Sequence, residues 1–177
     1  MHRFSADDVL AASGPLIEAR LGADGLPRGA VAAARVAAPP ARVWEVVADV
    51  GGYATRVPMI HRVHLAGDRV TVNLGFKVSL FSVGFQFVAD VEHEAPRSLT
   101  LRGVSGEPRG LRLGLALAPL AGGAETLLEA SAEFDLLSVG WLAKYFLKHH
   151  PEIQYGVFPG VALSLIDSMA RAAEGRR

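Results

Sequence analysis

The sequence predicts an α+β fold in which a curved antiparallel sheet is covered on its dry face by one long C-terminal helix. Three observations carry this expectation. From Val70 to Asp135 apolar and polar side chains alternate with a period of two through a run of hairpins. From Val139 onward the period becomes helical. Near the N-terminus Pro39-Pro40 stops a β-branched run and starts an amphipathic one, because proline is tolerated only in a helix's first turn. The order is strand, two short helices, about six strands and a helix. It leaves the sheet one wet face and one dry face that a helix must cover.

The elements run in chain order. Ser5 supplies a cap and Asp7 and Asp8 an acidic first turn, so Ala6 to Arg20 is expected to be a short helix broken near Gly14-Pro15. Leu21 to Gly29 is expected to be a loop. Residues 1–29 are therefore taken as an N-terminal helical extension and 30–177 as the main domain. Val31 to Ala37 reads as a strand, and Pro39 to Ala48 as a helix that buries Val43, Trp44, Val46 and Val47. Asp49 to Tyr53 ends it, with a second helical turn to Arg56. Val70, Val72, Leu74, Phe76, Val78 and Leu80 share one strand face. Phe85, Phe87, Ala89 and Val91 share the next, joined through Phe81 to Gly84 as an apolar turn. Leu99 and Leu101 mark a shorter strand ending near Gly103; Leu111 to Leu117 and Glu125 to Asp135 complete the meander. Val139 to His149 forms one helix, Pro151 interrupts, and Val157 to Ala173 forms the long one.

Composition excludes several function classes. Lys+Arg and Asp+Glu both number 18 in 177 residues, so no net field draws in nucleic acid, and no nucleic-acid partner is expected. Without cysteine the chain has no disulfide, thiolate nucleophile or thiolate zinc site. Asp7 and Asp8 stand where a signal peptide needs its apolar segment, and no apolar run is long enough to span a bilayer. A cytoplasmic protein is expected. His61 and His64, three apart, fall on opposite faces of a strand, so no metal is assigned. No phosphate loop, catalytic triad signature or paired carboxylates on the dry face appear, and neither cofactor nor catalytic residue is assigned.

The stretch VAAPPARVWEVVADVGGYATRVPMIHRV and the element order resemble the START/polyketide-cyclase superfamily, the helix-grip fold shared with birch-pollen allergens. The strand before Ala38-Pro39, Val43-Trp44, Asp49, Tyr53 and Pro58 carry the likeness, which covers about Ala30 to Ala173. VNLGFKVSLFSVGFQFVADVE is similar to the coenzyme Q-binding branch. The fold hosts carriers, cyclases, hydrolase-like enzymes and chaperone activators, so it implies a cavity rather than one activity.

In a helix-grip fold the dry sheet face and the long helix enclose that cavity. Strand parity nominates Phe76, Val78, Phe85, Phe87, Leu113, Leu115, Leu117, Leu128 and Phe134 as its lining; these residues can equally pack solidly against the helix. Trp141, Tyr155 and Phe158 join them at the start of the helical region, where Gly156 to Gly160 loosens the closing helix. His93, Glu107 and Arg109 are the candidate polar anchors, each also readable as a rim or surface-turn residue. Val139 to His150 mixes aromatics with Lys144 and Lys148, a composition suited to transient membrane contact or to packing on the sheet edge. The expected function is non-enzymatic binding or transport of a hydrophobic small molecule: a lipid, sterol, quinone or polyketide. The alternative is a polyketide cyclase or dehydratase acting in the same cavity; a protein-interaction module is a third reading.

Overall fold

The computed structural model describes the backbone of residues 3–78 and 81–176, and their side chains apart from 76–83, 142 and 143. Eight strands form one antiparallel sheet: β1 (Leu16–Leu21), β2 (Pro27–Val36), β3 (Ile60–Ala66), β4 (Arg69–Val78), β5 (Phe81–Glu94), β6 (Ser98–Gly106), β7 (Arg109–Leu120) and β8 (Glu125–Asp135). Their spatial order is β1-β2-β8-β7-β6-β5-β4-β3. The helices are α1 (Ala6–Ala11), α2 (Pro40–Ala48), α3 (Tyr53–Arg56), α4 (Gly140–His149) and α5 (Gln154–Ala173). This is the helix-grip architecture. Among the described residues no helix is long and apolar enough to cross a membrane.

Curvature comes from bulges. The β5–β6 register slips between Val88 and Ala89, and the β7–β8 register between Arg109 and Arg112. Gly106 beside the first slip has φ 88°, and a Cβ there would lie 2.2 Å from the Gln86 carbonyl oxygen. Only glycine fits that crossing.

On the concave face Val36, Val70, Val72, Ala89 and Leu128 meet Ala162, Leu165, Ile166 and Met169 of α5, with Val43 and Val47 of α2 closing one end. Asp49 ends α2 by accepting the Gly52 N–H at 3.2 Å and pairing with Arg56 Nη2 at 2.5 Å. α5 begins at Gln154, three residues earlier than expected, and carries Pro159 inside it. Proline has no N–H for the Tyr155 carbonyl, so the first turns of α5 lack one rung.

The N-terminal segment differs from its expectation. The Ser5 capping box forms, yet the helix stops at Ala11, and Leu16–Leu21 is an edge strand on β2 rather than the second half of a helix. Pro15 disfavours helical geometry in the residue before it, and β2 offers a free edge to the residues after it. The expected loop over Leu21 to Gly29 shrinks accordingly, because β2 starts at Pro27. Phe81 to Gly84 is strand rather than turn, Phe81 pairing with Val78; the intervening residues 79 and 80 lie outside the described residues. The outer face is not wet throughout. Val9, Ala33, Leu120 and Leu127 form a second cluster with Phe4 and Leu16, and the nearby Glu129 accepts the Arg3 N–H at 2.6 Å.

Candidate ligand cavity

Between the concave face and α5 lies a void of about 30 Å³. Its wall is assembled by strand register. Val72 of β4 stands opposite Phe87 of β5, Leu99 and Leu101 of β6 opposite Leu115 and Leu113 of β7, and Ile60 of β3 opposite Leu74 of β4. Same-face side chains recur every second residue, so these pairs converge on one patch. Leu165 roofs it from α5 and Tyr53 closes it from α3.

The wall is apolar. Among the described residues its one side-chain oxygen, Tyr53 Oη, donates to the Val47 carbonyl at 2.7 Å, and burial pushes that phenol far above its ordinary pKa. It stays a neutral donor held by the backbone. The void is large enough for a water molecule but offers none a partner, so its chemistry is that of a dry cavity.

The nominated residues are distributed unevenly around it. Phe87, Leu113 and Leu115 line the void together. Leu117 and Leu128 are buried on the same sheet without bordering it. Phe85 is half-buried. Phe134 packs on Phe158, ring centroids 4.8 Å apart. The side chains of Phe76 and Val78 lie outside the described residues. Tyr155 points away and donates through Oη to the Gly25 carbonyl at 2.8 Å, and Trp141 is 78% exposed.

None of the polar anchors borders the void. His93 is exposed at the far end of β5, across from Leu99. Glu107 accepts the Gly140 N–H at 3.1 Å, and the Arg109 guanidinium is exposed 3.8 Å from Asp135. Among the described residues no His, Asp or Glu cluster could hold a metal. Tyr53, Ile60, Val72, Leu74, Leu99, Leu101 and Leu165 also line the void and are not among the residues expected there. Val72 and Leu74 carried a usable signal, the same parity as Phe76. Ser168, three residues beyond Leu165 on α5, is buried with no partner for Oγ among the described residues, and it too stands outside the wall.

A family model described as polyketide cyclase/dehydrase and lipid transport matches residues 29–150. The Zhui aromatase/cyclase from Streptomyces sp. R1128 is similar in structure, with TM-score 0.56 and 21% identity over 83% of this chain and 93% of that one. XoxI from Bacillus cereus has TM-score 0.60 and 13% identity, covering 82% and 95%. A START superfamily protein from Mycobacterium smegmatis has TM-score 0.52 and 15% identity, covering 86% and 99%. At these identities the likeness is one of fold. No curated protein matches the chain in sequence.

Proposed function

The chain belongs to the polyketide cyclase/dehydrase and lipid transport family, and we propose that it is a non-enzymatic carrier of a hydrophobic small molecule. One observation carries the reading: the residues around the void offer only apolar surface, while His93, Glu107 and Arg109 face elsewhere. Burial at about 25 cal/mol per Å² supplies affinity without a charged anchor. A cyclase or dehydratase needs a positioned acid or base beside its substrate. The similarity to an aromatase/cyclase keeps that activity as the second reading.

The void is much smaller than a lipid, so loading requires the wall to part. The start of α5, short of one backbone hydrogen bond at Pro159, is the part that yields. The ligand-binding unit is taken as residues 30–177 with 1–29 appended to it. The protein is assigned to the cytoplasm, with transient membrane contact through Val139 to His150 as its loading route.

Native mass spectrometry of the protein incubated with a fatty acid, a sterol, a quinone and an aromatic polyketide tests the carrier reading. The expected result is a one-to-one complex with at least one of them, recovered chemically unchanged. Turnover of the polyketide would replace it with the cyclase reading, and an empty protein throughout would overturn both.

A further inference from the structure

We propose that the outward face of α4 is a docking surface for an anionic lipid bilayer, which deepens the carrier reading and rests on it. Trp141, Tyr145 and Lys148 fall at i, i+4 and i+7, one stripe of the helix, with Lys144 beside them. Trp141 and Tyr145 are 78% and 57% exposed. Leu147 is the one buried residue among the described side chains of α4. The Tyr145 ring meets other exposed rings of the helix: His149, one turn on, at 4.7 Å and a 55° tilt, and Phe146 edge-on at 5.9 Å, centroid to centroid. Leu137, just before the helix, and Ile153, just after it, are also exposed.

Charge selects the occupant. The chain has three lysines, and two of them stand on this helix. Neither Lys144 nor Lys148 has an ion-pair partner among the described residues, whereas most arginines on the sheet and the other helices are paired with carboxylates. Trp and Tyr rings settle at the headgroup level of a bilayer, and lysine stems extend along apolar surface while their ammonium groups reach lipid phosphate. A two-fold dimer through the same face would set these lysines against one another.

Location supports the assignment. α4 follows β8 and precedes α5, at the end of the sheet where β3, β5 and β7 begin. There Glu107 holds Gly140, and Ser138 Oγ accepts the Arg109 N–H at 2.7 Å, fixing α4 to the β6–β7 turn beside the weakened start of α5. A bilayer on α4 thus meets the protein where its ligand cavity is easiest to open.

Flotation with phosphatidylcholine vesicles, with and without phosphatidylglycerol, tests this. The wild type is expected to float with the anionic vesicles only and to release at high salt. Brominated lipid should quench its tryptophan fluorescence, and Trp141→Ala should abolish both effects. K144A/K148A is expected to weaken binding roughly thirtyfold. All these side chains are exposed, so folding is unaffected, which circular dichroism checks. Absence of flotation, equal flotation with neutral vesicles, or a wild-type dimer dissolved by Trp141→Ala would overturn the proposal. Ligand binding by Trp141→Ala in vesicle-free solution separates the two readings. Its retention alongside lost flotation supports both, and wild-type flotation by a protein that binds no ligand overturns the carrier alone.

Discussion

Leu165→Ala probes the cavity most directly, because this side chain is 5% exposed and is the contribution of α5 to the void. The substitution removes three carbons, a transfer loss of about 2.4 kcal/mol at about 0.8 kcal/mol per group. The vacated space joins the existing void. If on the order of 50 Å³ fails to collapse, the cavity adds about 1.2 kcal/mol. The sum, about 3.6 kcal/mol, corresponds to a fall in Tm of roughly 7–14 °C for a chain of this size. The enlarged dry cavity should then accept benzene, which at a hundredfold excess over its Kd returns about 2.7 kcal/mol. Thermal melts of wild type and variant, each with and without benzene, measure both effects. A loss under about 1 kcal/mol would show that α5 does not seal the site. A large loss with no benzene rescue would show that the wall collapses instead of holding a cavity.

Three further outcomes are expected. Tyr53→Phe removes the donor to the buried Val47 carbonyl and should cost about 1 kcal/mol in urea unfolding, with ligand affinity unchanged because the hydroxyl faces the backbone. Gly106→Ala should cost well over about 1 kcal/mol, since φ is 88° and the new Cβ meets the Gln86 carbonyl; an unchanged Tm would refute the bulge geometry. The Arg35 guanidinium holds the Glu125 carboxyl below its ordinary range. Its pKa is depressed in the folded state, so the stabilisation is complete above the ordinary carboxylate range and is lost as pH falls through the folded value. Glu125→Gln should therefore flatten the acid limb of Tm against pH and lower stability near neutrality.

The legible parts of the fold are those whose signal is local. Glu125–Asp135 alternates at every position but Leu127 and follows the Gly122-Gly123 turn, and its bounds agree with β8. Leu16–Leu21 is misread as helix because LIEARL has no strong period, and what makes it a strand is a distant edge on β2. Leu127 and Glu129 sit on the polar side of β8 by parity, yet residues 3–9 fold over them, which alternation within one strand cannot reveal. In the cavity, parity finds Phe87, Leu113 and Leu115 because a strand residue's face is fixed by its neighbours. It cannot tell these from Leu117 and Leu128, which share the face and the core but do not border the void. Tyr53 and Leu165 arrive on separate helices, and their meeting depends on crossing geometry. For α4 the amphipathic composition is readable, but the direction of its aromatic stripe is not. The stripe faces outward because Leu147, rather than Trp141, is the residue that docks.

β1 changes what the rest of the sheet exposes. The matched family region begins at residue 29, so this strand lies outside it. β2, with Ala30, Ala32, Ala33 and Ala34 along its length, is paired with β8 on one side and with β1 on the other. A chain shortened to begin at residue 27 would leave β2, charged only at Arg28 and Arg35 near its two ends, as an edge of unpaired N–H and carbonyl groups open to a second copy. In the intact chain that outermost position belongs instead to Glu18 and Arg20, paired with Arg3 and Glu133. Residues 3–21 thus act as insulation over the edge that an alanine-rich strand would otherwise present.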